Sequence, residues 1–220
     1  LPLSCTGRLV GGDLYDCYTS RDHVRLLIGD VRGKGIAGVE QAARVIRVFR
    51  QAAALQPTLP EVAAEMDDYL AGFFGEEEFV TALLLDVTEP GVMRVVSAGH
   101  PGPQLAEASG THILDLPAGL PLGLGLGQLS GGYAETVLPW RPGDRLLMYT
   151  DGLTEARNPA GEFFPVLSLG AQMRVGSVDD VLEGTVAAVT DHVHRGRLED
   201  DLALVVVEHL PVPTSATVTA

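Results

Sequence analysis

The chain has 220 residues, 46% of them hydrophobic, and sets 15 basic against 29 acidic side chains for a formal charge of −14. That length supports one sizeable core, and the acidity excludes nucleic acid or an anionic membrane surface as the main partner, because both demand a basic footprint. No apolar run approaches the roughly 20 residues of a membrane span, no charged-then-apolar leader opens the chain, and the two cysteines make neither a disulfide framework nor a Cys-x-x-Cys metal site, so a reducing, cytoplasmic setting is expected.

Two strand-like stretches come first, about Arg8 to Thr19 and His23 to Val31, and the second delivers Asp30 into a glycine-rich turn. From Ile36 to Leu55, Val39, Ala42, Ala43, Ile46 and Phe49 recur at three- and four-residue steps, which predicts a helix with one buried face. Pro57 and Pro60 punctuate its end. A second helix, Glu61 to about Phe73, aligns Val62, Met66, Tyr69 and Leu70. Strands follow at Phe79 to Val87, Val92 to Ala98, Pro103 to Glu107, Ile113 to Leu116, Tyr133 to Leu138 and Arg145 to Thr150, joined by Pro-Gly and Ser-Gly turns that suit an antiparallel meander. Glu155 to Ser177 is mixed, Val178 to His194 reads as a third long helix, and Leu202 to Val207 as a central strand.

This order predicts a mixed α/β (α+β) fold: a four-layer α/β/β/α sandwich of two mainly antiparallel sheets flanked by helices. Residues 1–210 are expected to form one domain, and Pro211 to Ala220 a disordered tail. Leu1 in place of Met suggests a domain excised from a longer protein.

Four acidic sites lie where an apolar strand meets a turn. They are Asp13 in Gly11-Gly12-Asp13-Leu14-Tyr15-Asp16, Asp30 in Gly29-Asp30-Val31-Arg32-Gly33-Lys34-Gly35, Asp151 in Tyr149-Thr150-Asp151-Gly152, and the pair Asp200-Asp201. A carboxylate in such a place costs several kcal/mol unless it is paired or binds a cation. Carboxylates, carbonyls and water are what Mg²⁺ and Mn²⁺ prefer. Two such ions roughly 3.5 to 4 Å apart can activate a bridging water and aim it at phosphorus.

The succession Gly-Gly-Asp-x-Tyr-Asp, Gly-Asp-Val-x-Gly-Lys-Gly, Phe-Val-Thr-Ala, Ala-Gly-His-Pro, Thr-Asp-Gly-Leu-Thr-Glu and Asp-Asp-Leu-Ala-Leu-Val-Val-Val, from about Leu9 to Val207, resembles the SpoIIE and RsbU-like branch of the PPM (PP2C-type) serine/threonine phosphatases. The resemblance implies that fold without a flap subdomain, and a two-ion Mn²⁺ or Mg²⁺ centre. It makes Asp30 the bridging ligand and gives Asp13 and the Val31 carbonyl to the second metal. Asp151 and Asp200 go to the first, with Asp201 as neighbour or alternate ligand, and Asp16 orients a metal-bound water. It further implies hydrolysis of protein phosphoserine or phosphothreonine by metal-bound hydroxide, without a phospho-enzyme. The usual substrate of that branch is a phosphorylated STAS-domain anti-anti-sigma factor in bacterial signalling. Fusion to an N-terminal sensor domain, regulatory input at the two first helices and a homodimer are consistent with the branch. A non-catalytic scaffold of the same fold is the alternative, and the filled ligand positions argue against it.

Arg32 stands where eukaryotic relatives carry a His proposed as general acid, and their phosphate-gripping arginine has no match, which leaves Arg32 or Lys34 for part of that role. Gly29 to Gly35 is one residue short of a phosphate-binding P-loop and lacks its Ser or Thr. His100, in a Gly/Pro turn, is read as structural; His192 and His194 as solvent-exposed; Glu76 to Glu78 as a solvated loop. Glu155 fits either a place behind Asp151 or an exposed loop. Thr81 and Thr150 are either hydrogen-bond donors to ligating carboxylates or ordinary strand threonines.

Overall fold

A computed structural model of the chain describes residues 3–10, 13–32, 36–75, 77–127, 129, 131–193 and 201–211. Lys34, Glu76, His194, Asp200 and the tail from residue 212 lie outside them.

Elements are numbered in chain order. One sheet runs β1 (Leu3–Val10), β10 (Leu202–His209), β9 (Arg145–Tyr149), β6 (Gln104–Glu107), β7 (Gly110–Ile113). The other runs β2 (Leu14–Thr19), β3 (Val24–Val31), β4 (Val80–Asp86), β5 (Val92–Ala98), β8 (Glu135–Pro139). Every neighbouring pair of these strands is antiparallel. Alternation along the strands decides the layers. Leu26, Ile28, Leu83, Leu85, Leu146, Met148, Val205 and Trp140 fill the space between the sheets. The opposite face of the second sheet, with Leu27, Leu84 and Val96, is covered by α1 (Ile36–Leu55) and α2 (Leu59–Ala71). The opposite face of the first, with Leu147, Leu204 and Val206, is covered by α4 (Val178–His192) and two 3₁₀ turns. The four-layer α/β/β/α sandwich is therefore the fold observed.

Several boundaries differ from those predicted. The stretch from Arg8 to Thr19 is two strands, β1 and β2, which belong to opposite sheets. A run of alternating residues carries no sign that the chain crosses between layers partway. The predicted strand at Ile113 to Leu116 begins at Gly110 instead, because the pairs Gln104↔Ile113 and Glu107↔Gly110 leave only Ala108 and Ser109 for the hairpin turn. In α1 the buried stripe is Val45, Val48, Phe49 and Ala52, whereas Val39 is 63% exposed. The helix is apolar on more than one side: Phe49 belongs to both stripes, Ala42 and Ile46 are partly buried, and the buried face is turned toward Val45, Val48 and Ala52. α2 starts at Leu59, where Thr58 and Glu61 form a reciprocal capping box with Pro60 in the first turn, so that proline opens this helix.

Two buried charges tie the helices to the second sheet. Arg25, at the start of β3, pairs with Asp86 at 2.7 Å and donates to the carbonyls of Ala53, Gln56 and Pro57, closing the last turn of α1. Asp67 of α2 is 1% exposed. It accepts backbone N–H bonds from Gly123, Leu124 and Gly125 at one oxygen and from Gly127 at the other, at 2.8 to 3.0 Å. Wrapping the loop around one carboxylate needs φ of 93° at Gly123 and 66° at Gly125. Next to it, Leu122 exchanges both backbone hydrogen bonds with Val80 at the start of β4.

Candidate metal centre

The same alternation places the acidic residues. Asp30 shares the inter-sheet face of β3 with Leu26 and Ile28, Asp13 precedes β2 in phase with Tyr15, and Thr150 follows β9 in phase with Met148. All three stand at one end of the sandwich. Asp13 is 6% exposed. Thr150 Oγ1 donates to its Oδ2 at 2.5 Å and accepts the Ala203 N–H at 2.9 Å, so one hydroxyl links β10 of the first sheet to the residue that opens β2 of the second.

Burial pushes the Asp13 carboxyl up to about 7. The Thr150 hydrogen bond opposes this, while Asp30, through its charge and a hydrogen bond, and then Asp151 push in the same direction. Asp30 and Asp151, from two other motifs, thus stand close enough to Asp13 to oppose its ionisation. Asp151 opens the short helix α3 (Asp151–Thr154). A side chain on Gly152 would collide with the Asp201 carbonyl oxygen, so glycine at this position lets the start of α3 lie against the segment entering β10. Asp201 itself is exposed. Val31 is buried beside Val80, its cross-strand partner. Gly29 is equally constrained, since a Cβ there would approach the Thr81 carbonyl oxygen to 2.8 Å.

An all-oxygen acidic donor set drawn from rigid strands suits Mg²⁺ or Mn²⁺, and a divalent charge offsets the mutual repulsion that raises Asp13. Among the described residues, no three His, Cys, Asp or Glu side chains are gathered tightly enough to hold an ion by themselves. Asp200, the remaining member of the expected set, lies outside those residues.

Other candidates take different places. Both oxygens of Asp16 accept from Arg50 of α1, at 2.6 and 2.8 Å, and each keeps a second lone pair. His100 is buried between the sheets. Its Nε2–H donates to the Tyr149 carbonyl at 3.0 Å, so Nδ1 accepts from the Thr81 hydroxyl at 3.1 Å. Burial holds its pKa down at about 4, and it spans the sandwich as a neutral strut. Thr81, the cross-strand partner of Asp30, therefore serves His100, and Thr150 is the threonine that binds a carboxylate. Glu155 is exposed beyond α3, and Arg32 is exposed with its guanidinium 5.3 Å from the Phe79 ring centroid. The His100 bridge had no distinctive sequence signal, and the Thr150 link was one of two readings that its place beside Asp151 allowed.

Residues 20–210 match the family model of Stage II sporulation protein E. The chain belongs to the SpoIIE family. Its fold is that of the PP2C-type phosphatases. The RsbU and RsbW domains of a Mycobacterium tuberculosis protein superpose with a TM-score of 0.76 at 22% identity, over 96% of this family member and 61% of that chain. The PP2C domain of Bacillus subtilis SpoIIE, with a fragment of its regulatory domain, gives 0.76 at 16% identity, over 94% and 62%. The family member thus spans less than two thirds of either chain. The catalytic domain of the phosphatase PstP, solved with two manganese ions, gives 0.67 at 15% identity, over 95% and 99%.

Proposed function

We propose that this SpoIIE-family chain is a metal-dependent protein phosphatase that removes phosphate from phosphoserine or phosphothreonine. The observation that carries the proposal is the meeting of Asp13, Asp30 and Asp151 at one end of the inter-sheet space, with Asp13 lifted to about 7 by burial and by the other two. Asp30 and Asp13 with the Val31 carbonyl would hold one Mn²⁺ or Mg²⁺, and Asp151 and Asp200, with Asp201 adjacent, would hold the other, Asp30 being shared. Such a pair of ions supplies Lewis acidity, lowering the pKa of water and neutralising charge on the phosphoryl oxygens.

The chain's own residues do the positioning. Thr150 fixes one Asp13 oxygen. The His100 strut holds Thr81, and with it the strand pair that carries Asp30, at a constant distance from Tyr149 and hence from Asp151. Arg50 keeps Asp16 neutralised, so the cluster gains no further repulsion from that side.

The substrate we infer is a phosphorylated STAS-domain protein in bacterial signalling. A neighbour that joins RsbU and RsbW domains in one chain supports this setting, as does the family itself. A cytoplasmic domain coupled to an N-terminal sensor belongs to the same reading. No described helix is long and apolar enough to cross a membrane.

Phosphate release from a phosphorylated STAS-domain protein and from p-nitrophenyl phosphate tests the proposal, with wild type, Asp30→Ala and chelated protein compared in Mn²⁺. Turnover that needs both Mn²⁺ and Asp30 is expected, with a loss of at least about a thousandfold on substitution. Metal binding without turnover would favour the scaffold alternative, and activity indifferent to Asp30 would refute the assignment.

A further inference from the structure

Charge is distributed unevenly along this chain. Residues 31–60 contain Arg32, Lys34, Arg44, Arg47 and Arg50 but only one acidic residue, Glu40. That is a net +4 in a chain of −14, which leaves −18 on the other 190 residues. Segments of opposite sign to their protein are candidates for recognising a charged partner.

The fold brings this segment to the carboxylate cluster. α1 begins at Ile36, five residues beyond Val31, and ends where Arg25 at the far end of β3 binds the carbonyls of Ala53 to Pro57. The helix therefore runs away from the acidic end of the sandwich. Arg44, Arg47 and Arg50 follow one another at about one turn each, roughly 5 Å apart along the axis. Arg50 is anchored by Asp16, only three residues along β2 from Asp13, yet its side chain is 62% exposed. Arg47, one turn nearer the cluster, is exposed and forms no ion pair among the described residues. Arg44 lies with its guanidinium 4.3 Å from the Phe73 ring centroid, and Arg32, two residues past Asp30, leans on Phe79. Phe73 is itself 55% exposed. Aromatic stacking orders a guanidinium without consuming its N–H donors, so Arg32 and Arg44 are preset to bind carboxylates or phosphate. Glu77 and Glu78 precede Phe79 and Glu40 stands one turn before Arg44, so the cationic part of this surface is the Arg44 to Arg50 stretch of α1.

We propose that the arginine face of α1, with Arg44, Arg47 and Arg32 leading to the metal centre, docks an acidic segment flanking the phosphorylated residue of the protein substrate. The proposal rests on the phosphatase reading and adds the class of sequence that the site selects. Acidic flanks would be drawn to a cationic helix face beside an acidic centre.

The probes are two fluorescent phosphoserine peptides, one flanked by four aspartates and the other by four asparagines, together with p-nitrophenyl phosphate. Binding is read by anisotropy in chelator and turnover in Mn²⁺. Wild type is expected to bind the aspartate peptide about tenfold more tightly than the asparagine peptide at low salt. That preference should fall to about twofold or less in Arg47→Glu and in Arg44→Glu/Arg47→Glu, and also at high salt. Arg174→Glu, the same charge change at an exposed arginine over the first sheet, should keep it. Equal binding of the two peptides by wild type, or the same preference in Arg47→Glu as in Arg174→Glu, overturns the docking surface. Loss of Mn²⁺-dependent turnover of p-nitrophenyl phosphate in wild type would instead sink the phosphatase reading, and the anisotropy comparison still decides the docking surface.

Discussion

Replacing Asp13 by Asn should make the metal-free protein more stable while removing its capacity for metal. The Asp13 carboxyl rises from 3.8 to about 7 on folding, through burial and then the neighbouring Asp30 and Asp151. Below pH 3.8 it is protonated in both states and contributes nothing to the pH dependence. Between that pH and about 7 the folded chain keeps a proton that the unfolded chain has lost, and stability falls as pH rises. Above 7 the folded chain carries the full penalty, up to roughly 4 kcal/mol at 1.36 kcal/mol per pKa unit, and about half that once a proton shared with Asp30 is allowed for. Asn mimics the protonated acid, accepting from Thr150 and donating toward Asp30. Urea denaturation in chelator should therefore show Asp13→Asn more stable than wild type by roughly 2 to 4 kcal/mol at pH 8 and by little at pH 4. Adding Mn²⁺ at a thousand times its Kd should reverse the order, since it stabilises only the competent chain, by about 4.1 kcal/mol. A variant less stable than wild type at pH 8, or a gain of equal size at pH 4, would refute the picture of a repulsive, cation-seeking cluster.

Thr150→Val removes the donor to Asp13 and strands the Ala203 N–H; a loss of about 1 to 3 kcal/mol is expected, and the pH at which Mn²⁺ binding is half-lost should move upward, read by titration calorimetry. Asp67→Asn turns an acceptor of four N–H groups into one that points an amide at another donor, which should cost about 2 to 4 kcal/mol in urea; an unchanged midpoint would mean that the 122–127 loop holds itself. Arg25→Met leaves Asp86 buried without its cation and frees three carbonyls at the end of α1, an expected loss of about 3 to 5 kcal/mol, and Asp86→Asn in the same chain should return part of it.

Most of the layer order was legible because it depends on local periodicity. The 20 residues of α1 and the 7 of β5 have the limits that spacing alone predicts. Pairing across the molecule was not legible. Nothing around Leu9 to Leu14 announces that β1 joins the last strand while β2 starts the other sheet. The acidic motifs were readable because a carboxylate ending an apolar run is costly wherever it lies. Their supports were legible only in part: Thr150 could be picked out as a donor to a ligating carboxylate but not told from Thr81, and it and His100 act through neighbours 137 and 49 residues away in sequence. Asp67 sits at an interior position of an amphipathic helix and looks like an ordinary polar neighbour of Met66 until the glycine-rich loop is folded over it.

The pairing of β1 with β10, from Leu3↔His209 to Val10↔Leu202, has a consequence for biosynthesis. The strand that leads toward Asp13 has no partner on its sheet until the last strand has left the ribosome. At about 5 to 20 residues per second, some 10 to 40 s pass with β1 waiting and with Asp13 lacking the Thr150 link that β10 braces. Contacts of such long sequence separation also slow folding. A nascent or prematurely terminated chain can thus bring its early motifs together with α1 and α2, but it cannot assemble the carboxylate cluster. On the proposed function, metal-centred chemistry would become available only once β10 has been made.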